Sequence, residues 1–351
     1  MKIVKEKELT FKNDKIVVLK LTNKNNIEVL LSNYGATILS VLVLDKNGSK
    51  TDITLGYKSI EDYLKNHNNR EEYYFGCTIG RYANRIANGH FKIGNEKFDL
   101  SKNEGENHLH GGFCGLNKKI WDYKLNDSNN EVIFNCISND NEEGYPGNLN
   151  IELSISLNDL NEINLKYKAT TDKPTPVNLT NHVYFNLNGG KRDVLNHNIK
   201  LKSDFILEND ENNIPTGKFI PVTKTEYDFN TKKNLRDSAI MQMDGYDNCF
   251  VLNKTNKKLE LVGSISELNN PVSIEIFTTE PSIQLYTANA FDGSFIGKNN
   301  KSYQKFFGIC MEAQKFPDSP NHSNFPNSIL NPRELYEQET IYKINIIDDK
   351  Y

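Results

Sequence analysis

Two side chains in this sequence are of types that could move protons. His182 lies in NLTNHVYFNL, residues 178–187, where an extended backbone sets Thr180, His182 and Tyr184 on one face and Leu179, Asn181, Val183 and Phe185 on the other. A strand histidine is usually a hydrogen-bonded structural residue, but imidazole is also the side chain that titrates near neutrality. Glu312 lies in FFGICMEAQKFPDSPN, residues 306–321, and interrupts an apolar strand with Cys310 and Gln314 on its own side. At a sheet edge it would simply face water. Buried, its pKa would rise, which is what a general base near neutral pH requires.

Three further segments carry polar groups in suggestive patterns. In GCTIGRYANRIANGHF, residues 76–91, there is neither a P-loop Gly-Lys-Ser/Thr nor a strand-to-helix dinucleotide turn, so phosphate cradling is not expected. Arg81 and Arg85 then either pair with carboxylates in a loop or, with Asn84, aim a fixed fork of donors at sugar hydroxyls. NHLHGG, residues 107–112, sets His108 and His110 on one side of an extended chain and invites a metal reading. A cupin-type site needs a glutamate a few residues later, where Gly111, Gly112, Phe113 and Cys114 follow. An imidazole hydrogen-bonded to a substrate fits better, with the glycines permitting close backbone approach. In EPSIQLYTANAF, residues 280–291, Gln284 and Tyr286 share a face, an amide beside an aromatic ring, which suits a carbohydrate as well as an ordinary amphipathic strand.

The elements that must position these groups are mainly strands. Ile151, Leu153, Ile155 and Leu157 alternate with Glu152, Ser154 and Ser156; after NDLNE the alternation resumes with Ile163, Leu165, Tyr167 and Ala169, which reads as a hairpin. Similar runs fall at 15–21, 27–32, 198–207, 259–265 and 272–278. Asparagine-rich clusters at 23–26, 66–69, 126–130 and 208–213 punctuate them as solvated turns in which Asn tolerates left-handed backbone. One short helix is expected over YKSIEDYLKN, started by a capping-box-like Ser59-Ile60-Glu61-Asp62. With no linker, composition shift or internal period, the chain reads as mostly β, a single large antiparallel β-sandwich domain over residues 1–351.

Composition narrows the partners. The 351 residues are 37% hydrophobic and 25% charged with a net charge of -4, which offers no electrostatic footprint for nucleic acid. The start MKIVKEKELTF lacks the apolar core of a secretory signal, and no apolar run approaches a membrane span, so the expectation is a soluble, cytoplasmic chain without a membrane partner. The five cysteines are an odd number without metal-like pairs and read as reduced thiols. The arginines, at 70, 81, 85, 192, 236 and 333, form no cluster for a sugar phosphate.

In order, GRYANRI, NHLHGG, NLTNHVYFNL, EPSIQLYTAN and the closing M-E-A-Q-K-F-P-D resemble the signatures of the aldose 1-epimerase (galactose mutarotase) family, and the resemblance covers most of the chain. It implies the galactose mutarotase-like supersandwich. It also implies an isomerase that interconverts the α and β anomers of free aldohexoses such as galactose and glucose, with no cofactor and no metal, as a monomer or homodimer. Carried over position by position, Glu312 matches the general base and His182 the general acid. Asn84, Arg85, His110, Tyr184, Asp247 in YDNCFVL, and Gln284 match sugar-binding positions. The sequence departs from the family pattern at Asn248 after the aspartate, at Ala288-Asn289-Ala290-Phe291, where an inserted residue would shift an aromatic wall, and at Arg333, where a glycine is common. Two rival classes are a non-catalytic carbohydrate-binding β-sandwich, which needs no acid-base pair, and a metal-dependent cupin-like isomerase.

Overall fold

The structure is a computed structural model that describes residues 2–44, 48–68, 73–254, 256–268 and 270–346. Arg70, Asn69 of the 66–69 turn and both extremes of the expected 1–351 domain lie outside the described residues. Strands dominate, and three antiparallel sheets carry most of them.

The N-terminal sheet is a meander of Lys2–Phe11, Asp14–Thr22, Glu28–Ser32, Thr37–Leu44 and Lys50–Asp52. The large sheet has nine strands in the order Asp122–Asn126, Glu131–Ser138, Leu149–Leu157, Glu162–Thr171, Tyr336–Ile346, Val272–Thr278, Glu260–Glu267, His197–Leu201 and Lys233–Asn234. The expected hairpin is at its centre: Leu157 pairs with Ile163 and Leu149 with Thr171. The odd residues of both strands are buried while the even ones are half-buried or exposed, so the alternation marks the core face. A five-stranded sheet, Pro215–Pro221, Ser203–Asn209, Asp247–Leu252, Ser282–Tyr286 and Cys310–Gln314, completes the layers and is called the site sheet below.

The run at 198–207 proves to be two strands. It breaks at Lys202, and its halves join different sheets, His197–Leu201 the large one and Ser203–Asn209 the site sheet. A period of two continues through such a break, so alternation alone does not reveal it. The short helix spans Ile60–Lys65. Ser59 is its extended N-cap, but the hydroxyl bonds the Asp62 carboxylate (2.9 Å) instead of a backbone N–H. Three of the expected asparagine turns have left-handed backbone, at Asn26, Asn130 and Asn213, whereas Asn66–Asn68 of the fourth forms a 3-10 turn that continues the helix.

One apolar cluster draws on all three sheets. It joins Leu19, Val29 and Val41 of the first sheet, Phe134, Leu153 and Ile274 of the second, and Phe250, Leu285 and Met311 of the third. On the site sheet these apolar residues take one face. Cross-strand register therefore puts Asp247 opposite Tyr286, Cys249 opposite Gln284, and Gln284 opposite Glu312 on the other face. The sheet buries one side to fix the polar side.

Candidate active site

The stretch that carries His182 is not a half-buried strand. Its one strand segment, Thr180–Asn181, pairs with Thr78–Ile79, single bridges hold Asn178 and Phe185, and every residue from 175 to 187 is buried. Leu179, Val183 and Phe185 do enter the core, while Asn181 donates to the Gly76 carbonyl (2.7 Å). A second layer thus covers what period-two reasoning leaves to solvent. The ring of His182 lies between Tyr74 and Tyr184, with centroids 5.8 and 4.9 Å away.

Glu312 projects from the site sheet toward that ring, its Oε1 3.6 Å from His182 Nε2. Both are buried, at 2% and 4% exposure. Burial lowers the imidazole pKa to about 4. It also pushes the carboxyl well above the usual carboxylate range; the nearby Asp247 charge adds to this and Arg85 opposes it. Burial thus favours the neutral form of each member of the pair. The other carboxyl oxygen, Oε2, has no protein partner. The second ring nitrogen, Nδ1, faces Cys310 Sγ at 3.5 Å.

Asn84 and His110 clamp one another. The His110 N–H donates to the Asn84 carbonyl and the Asn84 N–H donates to His110 Nδ1, both at 3.1 Å. Both residues adopt left-handed backbone. Because Nδ1 accepts a proton-bearing neighbour, neutral His110 carries its own proton on Nε2 and presents a donor. Gly111 makes this turn possible: its φ is +87°, and a Cβ there would stand 1.9 Å from the Gly80 carbonyl oxygen.

The expected alignment of His108 with His110 does not occur, since the left-handed backbone at His110 separates the rings. His108 turns inward and bonds Tyr145 Oη (2.8 Å) and the Ser101 carbonyl (2.7 Å). His110, His182 and Glu312 do converge, with candidate ligand atoms within 4.8 Å of one another. A protonated Nε2 on His110 has no lone pair for an ion, so this trio suits proton transfer and hydroxyl binding better than metal ligation.

Arg81 and Arg85 part company. Arg81 is buried and donates to the carbonyls of Pro146, Gly147, Ser138 and Asn139, so carbonyls take the place of the expected carboxylates. Arg85 grips Glu104 with Nε and Nη2 (2.6 and 2.7 Å) and leaves Nη1 3.8 Å from Asp247 Oδ2. Asp247 Oδ1 accepts from Gln284 Nε2 (2.7 Å), and Gln284 Oε1 has no partner.

Asn84, Arg85, His110, His182, Tyr184, Asp247, Gln284 and Glu312 all line one cavity of about 960 Å³. Sequence reasoning left out other members of its wall, among them Tyr74, Glu104, Tyr227 and Met243. Glu104 has a visible cue, a carboxylate just ahead of NHLHGG, but nothing in its spacing says which arginine it meets. The departures are absorbed locally. Asn248 and Ala290 line the cavity, whereas Phe291 packs behind the site against Tyr184 and Tyr73. Arg333 has a φ of 71°, which accounts for the glycine common there.

Residues 17–343 match the family model described as aldose 1-epimerase. The chain belongs to the aldose 1-epimerase family. Curated relatives include the human galactose mutarotase, 37% identical over 91% of this chain and 92% of that one. The Escherichia coli aldose 1-epimerase is 35% identical over 93% and 94%. Among solved structures, an aldose epimerase homologue from C. elegans superposes with a TM-score of 0.86 at 29% identity, covering 94% of this chain and 99% of that one. A galactose 1-epimerase from Lactobacillus acidophilus gives 0.84 at 30% identity, covering 98% of each. The fold is thus the galactose mutarotase-like one of this epimerase family. No helix among the described residues is long and apolar enough to cross a membrane.

Proposed function

We propose that this aldose 1-epimerase, an isomerase of α and β sugar anomers, works through Glu312 as general base and His182 as general acid on a free aldohexose such as galactose or glucose. Opening a cyclic hemiacetal needs one proton taken from the C1 hydroxyl and one given to the ring oxygen; rotation about C1–C2 and closure reverse both. The two oxygens share one carbon, so the two proton-transfer groups must stand side by side. The observation that carries the reading is the buried pair His182 Nε2 and Glu312 Oε1, 3.6 Å apart on the cavity wall.

Burial favours the neutral forms of both residues, an arrangement with one proton between them. The reactive arrangement, carboxylate plus imidazolium, has the same proton count and differs only in where that proton sits. Sugar hydroxyls donating to the unpartnered Glu312 Oε2 favour the carboxylate. His110 Nε2–H, Arg85 Nη1, Asp247 and Gln284 Oε1 would hold the remaining hydroxyls and orient the ring. Tyr184 forms the wall against His182.

The test is polarimetry on freshly dissolved α-galactose and α-glucose. The protein should accelerate the approach to anomeric equilibrium in proportion to its concentration. α-Glucose 6-phosphate should be a poor substrate, since among the described residues the cavity wall holds one arginine, already paired with Glu104. No acceleration with any sugar, together with measurable sugar binding, would replace this reading with that of a carbohydrate-binding module.

A further inference from the structure

Glu104 comes from a short loop that is fixed to the strand His108–Leu109, which leads directly into His110. Asn107 N–H donates to the Glu104 carbonyl (2.8 Å), closing the loop. The Asn103 amide brackets Leu109, donating to its carbonyl (2.9 Å) and accepting from its N–H (2.7 Å). Leu109 in turn pairs with Arg85 across the two-stranded ribbon. The carboxylate is thus held beside the guanidinium from a rigid support, and it meets that group fork to fork. Beyond Arg85 the line continues through Asp247 and Gln284 to Glu312.

We propose that Glu104 is a positioning residue for the reaction: by gripping Arg85 it fixes the guanidinium edge that faces the sugar and neutralises a cation that would otherwise act on Glu312 and on the His110–His182 pair of rings beside it. This rests on the mutarotase reading given above. Without Glu104, the carboxylate left to Arg85 is Asp247, now 3.8 Å from Nη1. Turning toward it would take the guanidinium out of its binding pose and engage a sugar-binding carboxylate. An uncompensated Arg85 would also stabilise the Glu312 anion and oppose an imidazolium at His182.

The experiment measures Glu104→Gln, Glu104→Asp, Arg85→Lys and the Glu104→Gln/Arg85→Lys double variant, with folding checked by circular dichroism. For Glu104→Gln, KM for galactose should rise on the order of tenfold, the cost of one charge-assisted contact. Both limbs of the pH profile of kcat/KM should move to lower pH. Glu104→Asp should recover part of both effects, and the double variant should lose less than the product of the single losses. Wild-type KM and an unmoved profile in Glu104→Gln, or strictly multiplicative losses in the double variant, would overturn the proposal. Calorimetric titration with galactose separates this from the enzymatic reading. A wild type that binds galactose without speeding mutarotation defeats the latter alone, and Glu104 is then judged by whether Glu104→Gln weakens that binding, with unchanged affinity counting against it.

Discussion

His182 is held by rings more than by hydrogen bonds. Tyr74 and Tyr184 flank it, and its Nδ1 faces the weakly polar Cys310 thiol. Such a site offers an imidazolium little compensation, and accordingly the pKa falls to about 4. Positioned acids and bases typically contribute about 10²- to 10⁴-fold each. Glu312→Gln and His182→Asn should therefore each lower kcat by at least about 100-fold while leaving circular dichroism unchanged. Near-normal turnover in either well-folded variant would contradict the assignment. The pH dependence follows from the shared proton. On the acid side kcat/KM should fall as His182 takes up a second proton for the pair, well below the pH at which a free imidazole titrates. On the alkaline side it should fall as Glu312 gives up its proton, well above the ordinary carboxylate range. A bell with its acid limb at an ordinary imidazole pKa would show that burial does not govern the pair. Residue types at this scale were largely legible. Glu312 looked anomalous in an apolar strand, and its partner at position 182 was recovered through motif order, not from spacing. Glu104 and Tyr74 were not, because nothing local distinguishes a loop carboxylate or a loop tyrosine that faces a cavity.

At the scale of elements, the site depends on strand register and on a few residues held in left-handed backbone. Register places Gln284 beside Glu312, and alternation in each strand predicted which face both would take. Alternation did not predict the sheet break at Lys202, nor that both faces of 178–187 would be covered, since those depend on which sheet stacks above. The left-handed positions lead to two opposite expectations. Gly111→Ala would force a methyl against the Gly80 carbonyl in a conformation that also disfavours alanine. It should destabilise the fold by about 1–3 kcal/mol in urea titration and raise KM by shifting His110; unchanged stability would mean that this turn relaxes freely. Arg333→Gly should act the other way. Arg333 is exposed with a φ of 71°, and a non-glycine residue there costs about 1–2 kcal/mol. Part of that gain is returned through the freer unfolded chain, about 0.4–1 kcal/mol. A net stabilisation of about 0.5 kcal/mol is expected, and a loss would show that the side chain's contacts outweigh its backbone strain.

At the scale of the molecule, three sheets are tied together by more than proximity. The Trp121 N–H donates to the Asn33 carbonyl (2.8 Å), fastening the N-terminal sheet to the segment that leads into the large one. Phe185 bridges to Thr54 on one side and Ile309 on the other, so the histidine segment links the N-terminal part of the chain to the strand carrying Glu312. The apolar cluster runs through all three sheets, and removing any one would expose the faces of the other two to water. We therefore propose that the chain is one cooperative unit. Proteins of this length often unfold through intermediates, which makes the measurement discriminating. Trp121 is the sole tryptophan of the chain and is 1% exposed at the junction with the N-terminal sheet, so its fluorescence reports on that junction. Far-ultraviolet circular dichroism reports on all the strands together. In urea the two signals should trace one coincident transition, and saturating galactose should move both midpoints upward together, because ligand binding to the native state stabilises the whole unit. If Trp121 fluorescence changes first, and galactose shifts only the later transition, the N-terminal sheet is a separately folding part and the single-domain reading fails.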